Sequence, residues 1–431
     1  MGKTTPFLLA VAGTIPAFAL RLTGTHLGTL PDTILHGLAI VAAAFILGWV
    51  AEAAELEIPQ ALALAALALI AVLPEYAVDL TFAWKAGQDP TFAPYAVANM
   101  TGSNRLLIGV GWASVILVFW WRQRRRVLHL DSSNRLEIGF LALATVYSFL
   151  LPLKGSISLV DMVVLVGIFA AYLVLAGRQP HHEPELMGPA EVIGALPRGQ
   201  RRLALTGFFA IAGGAILAAA EPFAEGLVES GKLLNIDEFL LVQWLAPLAS
   251  ESPEFLVALI LAWRGKATQA MGVLLSSKVN QWTLLIGTLP AAYGLSAASV
   301  GDAVTPLPLD QRQTAEVFLT AAQSALAVMI VANLRFSVLE GLGIALLFFG
   351  QFIAQGYLRA GLGLEGMSDQ FLVAYGWLYL ALTAGWLAYH RSWWLAALRR
   401  QRARFGKAPQ PPTSSETAAA RGLAPGEEPE P

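Results

Sequence analysis

Long apolar runs recur from one end of the chain to the other, and they constrain its fold more than any other feature. Of the 431 residues, 56% are hydrophobic and 13% are charged, whereas about a quarter of a soluble globular chain is charged. A helix needs about 20 apolar residues to cross a bilayer. Twelve runs approach this length, at roughly 6–24, 32–52, 60–84, 92–121, 135–152, 158–177, 204–230, 238–263, 268–296, 313–332, 335–355 and 370–390. Because a bilayer offers no partner to open backbone groups, and because the runs lack the alternation of barrel strands, we predict an all-α polytopic membrane protein with about 12 transmembrane helices.

The composition excludes several kinds of site. The chain has no cysteine, which excludes disulfides and thiolate metal sites, and its six histidines show no spacing typical of metal ligands. It has no phosphate-binding loop, so ATP is not the evident energy source. The formal net charge is -2, and the arginines at 124–126 are explained better by membrane topology than by nucleic-acid binding. We expect no cofactor and no nucleic-acid partner; the expected partners are the lipid bilayer and inorganic cations.

A polar linker from Arg178 to Arg202 divides the chain into two halves. Five predicted spans lie on each side of it, with one extra helix at each end. An odd number of spans per half makes the second half enter the membrane from the opposite face, as in transporters built from inverted repeats. The first run also resembles a signal peptide, although we favour a retained helix. We predict these units: N-terminal extra helix or signal peptide, 1–30; first five-helix repeat, 31–177; linker, 178–202; second five-helix repeat, 203–358; C-terminal extra helix, 359–402; disordered tail, 403–431.

Basic residues predict the orientation of the chain. With the N-terminus inside, twenty lysines and arginines fall on the cytoplasmic side and six fall on the outer side. Such a bias in short loops sets the sidedness of a membrane protein. We therefore predict a multi-pass protein of the cell (inner) membrane, whose central linker and C-terminal tail are cytoplasmic.

Two segments inside the apolar runs are near copies of each other. The first includes Pro74 and contains LPEYAVDLTFAWKAG and YAVANMTGSNRLLIG; the second includes Pro253 and contains SPEFLVALILAWRGK and QAMGVLLSSKVNQWTLLIG. Each has a Pro-Glu within an apolar run and small polar residues at the start of the next run. An acid in hydrocarbon marks a functional site by default. Its duplication in matching contexts predicts a transport site between the halves.

The acids of these segments suit a divalent cation. Ca²⁺ takes six to eight oxygen ligands, and Glu75 and Glu254, brought together from opposite halves, would supply two charges and up to four oxygens. Asp79 lies one helical turn after Glu75, and Glu251 one turn before Glu254. These two acids either carry protons or support the site, or else they are solvated residues of a vestibule. Asn99 and Asn104 lie among small residues, a composition that also suits close helix packing.

The two copies resemble the repeats of the sodium/calcium exchanger family, within the calcium:cation antiporter superfamily. That family has Gly-Thr-Ser-Leu-Pro-Glu on one helix and Gly-Asn-x-x-Gly-Ser-Asn-x-x-Asn on the next. The matching segments here are Ala71-Val72-Leu73-Pro74-Glu75, Ala98-Asn99-Met100-Thr101-Gly102-Ser103-Asn104, Ser250-Glu251-Ser252-Pro253-Glu254 and Gly272-Val273-Leu274-Leu275-Ser276-Ser277-Lys278. The similarity covers about residues 40–120 and 208–290.

The resemblance implies a cation antiporter that works by alternating access, with Glu75 and Glu254 binding calcium at its centre. Three serines match those that line the family's sodium positions, and Gln281 occupies the place of an amide or acid. We predict these metal ligands: Glu75, Glu254, Ser103, Ser277, Ser250, Asn99 and Gln281. Asp79, Glu251 and Asn104 are predicted to carry protons or to support the ligands.

The chain departs from the family pattern at Val72, which cannot coordinate sodium, and at Lys278, which replaces an asparagine. Lys278 and Arg105 are predicted cations of the site. The ammonium of Lys278 either stands in for a monovalent ion or pairs permanently with Glu251. These changes favour protons over sodium as the counter-ion.

We predict a secondary-active antiporter, not an enzyme, that moves calcium or a related cation in exchange for protons or sodium. Paired acids beside a lysine could also perform intramembrane proton chemistry on a lipid. A third alternative is a transport-inactive sensor or scaffold on the same fold. Doubled sites in inverted repeats favour alternating access.

Single cysteines placed in the linker around His181 or in the tail after Arg391 will test the topology, since the chain has no cysteine of its own. We expect an impermeant thiol reagent to label neither position in intact cells and both after permeabilisation. A cysteine in a predicted outer loop serves as the control. Labelling of the linker or tail from outside would overturn the predicted orientation.

Overall fold

The computed structural model describes residues 4–57, 72–178 and 186–391, and most of these residues are helical. Ten helices in the described ranges are long and apolar enough to cross a membrane, which confirms the all-α polytopic prediction. A further predicted span, 268–296, corresponds to two helices joined by a π-helical turn. The predicted span 60–84 lies partly outside the described residues, and the structure describes its helix from Leu73 onwards.

The described residues of the first half form mainly α-helices. They are α1 (Thr5–Thr23), α2 (Thr29–Ala54), α3 (Leu73–Gln88), α4 (Ala93–Leu106), α5 (Ala113–Gln123), α6 (Arg135–Ser148), α7 (Leu150–Lys154) and α8 (Leu159–Ala176). A π-helical segment, Leu107–Trp112, connects α4 to α5. Two short strands, β1 (Val127–His129) and β2 (Ser156–Ile157), lie in the loops after α5 and α7.

The second half repeats this order of elements. Its helices are α9 (Pro189–Gly194), α10 (Arg198–Leu234), α11 (Glu238–Trp263), α12 (Ala267–Asn280), α13 (Ile286–Ser299), α14 (Gln311–Val331), α15 (Val338–Gly356) and α16 (Glu365–Tyr389). A π-helical segment, Gln281–Leu285, joins α12 to α13, and another, Tyr357–Gly361, follows α15. The strands β3 (Leu307–Pro308) and β4 (Arg335–Ser337) precede and follow α14.

The strand pairs relate the two halves to each other. β1 pairs with β4, and β2 pairs with β3, both antiparallel. By their place in the order of elements, β1 corresponds to β3 and β2 to β4. Exchanging the halves therefore converts one pair into the other, as a two-fold relation between repeats requires. The contact between α2 and α10 fits the same exchange, since each is the first helix of its predicted repeat.

The described part of the linker lies against the end of α2. α9 packs on α2, and the backbone N–H of Met187 donates to Glu52 at 3.1 Å. The Nε groups of Arg201 and Arg202 each donate to Glu57 at 2.7 Å. These two hydrogen bonds, that from Arg202 first, hold the pKa of Glu57 below its ordinary value. The predicted tail, 403–431, lies outside the described residues, and the boundaries of the predicted units stay predictions.

Two glycines let helices of opposite halves touch. A Cβ added to Gly102 on α4 would overlap the backbone carbonyl oxygen of Gln243 on α11. A Cβ on Gly87 of α3 would lie 2.5 Å from the carbonyl oxygen of Tyr293 on α13. Real Cβ atoms do not approach so closely, and backbone cannot move aside as a side-chain tip can. The crossing of α4 and α11, which carry the polar segments, therefore depends on a residue without a side chain.

We predict that Gly102→Ala lowers the midpoint of thermal unfolding in detergent or prevents folding. Overpacking a filled core costs about 1–3 kcal/mol, and here the clash is with backbone. Gly139→Ala on α6 is the matched control, because nothing lies within 4 Å of its Cβ position. The control should unfold at or above the wild-type temperature, since alanine favours a helix by roughly 0.5–1 kcal/mol. Equal unfolding temperatures for the two variants would contradict the proposed contact.

Candidate ion-binding site

The first Pro-Glu lies at the start of a helix. α3 begins at Leu73, so Pro74 occupies the first turn, where its missing N–H costs no helix hydrogen bond. Glu75 follows in the same turn, where the positive end of the helix dipole stabilises a carboxylate. Glu75 is 2% exposed, and Asp79, one turn further on, is fully buried. The helix therefore directs both acids into the protein interior.

The second Pro-Glu lies inside a helix. α11 contains both Pro247 and Pro253, and a proline within a helix removes the hydrogen bond to the fourth preceding carbonyl. Glu251 is 1% exposed, whereas Glu254 is half-buried. The two copies, so alike in sequence, thus place their glutamates in different backbone settings and at different depths.

Neutral polar groups of α4, α12 and the following π-helical segment approach the acids. Asn99 donates to Asp79 at 2.7 Å, and Ser277 donates to Glu254 at 2.6 Å. Gln281, from the second half, donates to Glu75 of the first half at 3.4 Å. Asp79 lies one turn after Glu75 on the same helix, and Ser103 lies beside Glu75. The site therefore combines residues of both halves.

Two of the predicted serine ligands donate hydrogen bonds to backbone carbonyls of their own helices. Ser103 donates to the carbonyl of Asn99 at 3.1 Å, and Ser250 donates to that of Ala246 at 3.2 Å. A serine hydroxyl has one proton and two lone pairs. With the proton used in this way, the oxygen of Ser250 keeps both lone pairs, as a cation ligand must, whereas Ser103 also lies beside the carboxylate of Glu75.

Oxygen atoms without a hydrogen-bond donor accumulate around the acids. They include Glu75 Oε1, Asp79 Oδ2, both carboxylate oxygens of Glu251, Asn99 Oδ1 and Gln281 Oε1, all buried. Buried polar atoms normally have partners, and a surplus of acceptors calls for cations or protons. No group of three or more His, Asp or Glu side chains within the described ranges is arranged to hold a metal by itself. A metal here would therefore need serine, amide or backbone oxygens as well as carboxylates.

The predicted cation Lys278 does not pair with an acid. Its Nζ, on α12, donates to the carbonyl oxygen of Asn104 at 3.0 Å and to the Asn104 Oδ1 at 2.5 Å. The same Nζ lies 4.6 Å from the centre of the Trp282 ring. No ion pair within 4.0 Å joins Lys278 to Glu251, and both hydrogen bonds of Nζ go to Asn104. The sequence left two alternatives for Lys278, a substitute for a monovalent ion or a partner of Glu251. The structure shows no direct pairing with Glu251.

The other predicted cation, Arg105, pairs with a different acid. Its Nη1 lies 2.8 Å from Oε2 of Glu316 on α14, and both side chains are fully buried. The guanidinium also lies over the ring of Trp244, 5.0 Å from its centre, and Gln355 donates to Glu316 at 2.7 Å. Sequence reasoning counted Arg105 with the site and did not single out Glu316. An acid within the apolar run 313–332 is the same signal that singled out Glu75, and it could have found Glu316.

The chain is similar to a known family of membrane exchangers. A model of the family described as sodium/calcium exchanger protein matches residues 33–177 and 204–356. A crystal structure of the H⁺/Ca²⁺ exchanger CAX is similar, with 42% identity, a TM-score of 0.84, and coverage of 92% of this chain and 97% of that one. None of the curated proteins compared with the chain matches it.

Two more distant structures share the fold. The Ca²⁺/H⁺ antiporter protein YfkE is 15% identical, with a TM-score of 0.56 and coverage of 79% of this chain and 97% of that one. The sodium-calcium exchanger NCX_Mj is 15% identical, with a TM-score of 0.51 and coverage of 76% and 99%. These folds and the family match define a multi-pass membrane transporter of the exchanger class. The chain belongs to the sodium/calcium exchanger family, as the resemblance predicted.

We predict that Glu75→Gln weakens Ca²⁺ binding by about 100-fold or more, and that Glu254→Gln does the same. Losing one member of a buried charge pair costs about 3–5 kcal/mol, and each 1.4 kcal/mol is tenfold in affinity. Calorimetric Ca²⁺ titration of the purified protein checks this. The control is Glu221→Gln, which changes an acid that contacts Lys85 on the protein surface. Wild-type affinity in both site variants would remove these residues from the set of ligands.

Proposed function

We propose that the protein is a secondary-active antiporter that moves Ca²⁺ across the membrane in exchange for protons, by alternating access. The surplus of buried, unpartnered carboxylate and amide oxygens between the two halves carries this proposal. Family membership supports an exchanger, and the relative that is 42% identical is named an H⁺/Ca²⁺ exchanger. Such a cluster of acceptors is costly in a membrane interior unless cations or protons neutralise it.

In this proposal the two halves share the calcium ion. Glu75 and Glu254 provide one carboxylate each, which together balance a divalent charge. The remaining oxygens come from Ser103, Ser250, Ser277, Asn99 and Gln281, which helps to reach the six to eight ligands that Ca²⁺ prefers. Gln281 supports this sharing, because it is a second-half residue that contacts the first-half Glu75.

The unequal burial of the acids supports access from one side. Glu75, Asp79 and Glu251 are buried, whereas Glu254 and its partner Ser277 are half-buried. Glu254 lies nearer to the end of α11 than to its start, and Ser277 lies on the next helix. Under the predicted topology that end of α11 faces the cytoplasm. We infer that this conformation admits the ion from the cytoplasmic side, and that the linker and the tail lie on that side.

Protons are the counter-ion that these residues favour. Val72 offers no side-chain oxygen, and Lys278 already holds both oxygens of Asn104. In addition to the two central glutamates, the site has two buried acids, Asp79 and Glu251. A buried carboxyl group that is not engaged by calcium accepts a proton readily, because the neutral form avoids the cost of a buried charge.

The position of Lys278 counts against an intramembrane enzyme. Acid–base chemistry would need the lysine within hydrogen-bond reach of an acid or of a substrate. Here its Nζ is occupied by Asn104. A transport-inactive scaffold, in turn, would have no use for a cluster of acceptors that only cations or protons satisfy.

Reconstituted proteoliposomes will test the proposal with separate gradients. We expect an imposed pH gradient to drive Ca²⁺ against its concentration and a sodium gradient of equal size to have no effect. The double variant Glu75→Gln/Glu254→Gln is the control for leak. Flux that follows sodium and ignores pH would show that the counter-ion is wrong. Absence of Ca²⁺ movement under either gradient, with correctly folded protein, would contradict antiport itself.

A further inference from the structure

Lys278 is surrounded by groups that suit a monovalent cation. The side chain is fully buried. Its Nζ contacts a backbone carbonyl oxygen and an amide oxygen, both of Asn104, at 3.0 Å and 2.5 Å, and it faces the ring of Trp282 at 4.6 Å. Carbonyl oxygens and aromatic faces are the neutral groups with which proteins hold Na⁺, K⁺ and organic ammonium ions.

The acids of the site lie close to this position but do not pair with Lys278. Ser277, the residue before Lys278, donates to Glu254, and Gln281, one turn further on, donates to Glu75. Neither Glu251 nor Glu75 forms an ion pair with Lys278 within 4.0 Å. Both carboxylate oxygens of Glu251 lack a hydrogen-bond donor. The ammonium is therefore held by neutral oxygens in the field of nearby carboxylates, which is how a bound alkali cation is held.

Arg105 is a buried cation of the same region that pairs directly with an acid. It is the residue after Asn104, and its guanidinium meets a carboxylate, Glu316, at 2.8 Å. Its charge is therefore cancelled at once, and the pair joins α4 to α14. Lys278 has no such partner within the described residues, so its charge stays available to the site.

We propose that the ammonium of Lys278 permanently occupies a monovalent-cation site formed by Asn104 and Trp282, and thereby excludes Na⁺ from the exchanger. A covalently attached cation cannot be transported, so this position contributes charge but no coupling ion. Lys278 is in this view a determinant of counter-ion specificity. The binding part of the inference needs only the geometry; its consequence for transport rests on the proposed function.

The direct test is cation binding by the purified variant Lys278→Ala. Thermal unfolding is followed in detergent while NaCl, KCl or methylammonium chloride replaces N-methylglucamine chloride at constant ionic strength. We expect the unfolding temperature of the variant to rise by several degrees and to saturate with at least one of the three cations. A ligand that binds only the folded state stabilises it in this saturable way. The wild type should not respond, because its site is filled.

Two controls separate a site from a general salt effect. Lys232→Ala removes the same charge from an exposed position and should respond as the wild type does. The double variant Lys278→Ala/Asn104→Leu removes the side-chain oxygen that accepts from Nζ and leaves the backbone carbonyl, and its response should fall at least tenfold in apparent affinity or vanish. If Lys278→Ala does not respond to any of the three cations, or if the double variant responds equally, the inference is overturned.

Loss of folding is also informative. If Lys278→Ala aggregates in N-methylglucamine, it is extracted and purified again with each small cation present throughout, together with Lys278→Asn, which leaves a smaller void and adds an amide oxygen. Recovery of monodisperse protein with a small cation supports the proposal. Failure of both variants in every cation overturns it, because the ammonium would then serve as a specific hydrogen-bond donor and not as a bound ion.

Transport separates this inference from the proposed function. In proteoliposomes, Lys278→Ala should acquire a sodium dependence of Ca²⁺ flux that the wild type lacks. Saturable Na⁺ binding by the variant, with no proton-driven Ca²⁺ movement by the wild type, would uphold the site and reject the proposed function. Proton-driven flux in the wild type, with no cation response in the variant, would do the reverse.

Discussion

Four carboxyl groups enclosed by membrane helices are the constraint on which the rest of this structure depends. Glu75, Asp79, Glu251 and Glu254 come from two helices of opposite halves, and three of them are almost fully buried. An ionised acid in such surroundings is costly unless it is paired, protonated or bound to a cation. The neighbouring amides and hydroxyls satisfy only some of the carboxylate oxygens. Under the proposed function, cations or protons satisfy the remaining oxygens, a condition that suits a transporter.

The buried charges of Arg105 and Glu316, outside the four acids, are paired with each other. Arg105 and Glu316 cancel each other inside the protein, and Gln355 accounts for the other carboxylate oxygen of Glu316. If Arg105 and Lys278 both offset the four acids, the site would carry two net negative charges at full ionisation. With Arg105 neutralised by Glu316, four acids and one lysine leave three. The scaffold pair thus holds α4 in place without weakening the attraction of the site for cations.

Sequence periodicity and composition were enough to predict the helical membrane fold, because hydrocarbon tolerates few other backbone structures. The register of the two polar segments was harder to predict. The sequence interpretation matched Ser103 to Ser277, whereas the Leu-Leu-Ile-Gly that ends both segments matches Ser103 to Gln281. The structure places both Ser103 and Gln281 beside Glu75. Insertions near a helix kink shift such registers, and only the packed helices show which residues meet.

The sequence by itself determined the class of fold, and it predicted the duplication and the acids of the candidate site, since each follows from where polar residues interrupt apolar runs. It also identified Lys278 and Arg105 as buried bases. Only the tertiary structure decided which partners those bases have. Asn104, the partner of Lys278, is 174 residues away along the chain, and Glu316, the partner of Arg105, lies on another helix. The same holds for the crossing at Gly102, whose partner is a backbone carbonyl. Long-range contacts depend on how helices from the two halves pack, and no local pattern in the sequence encodes that packing.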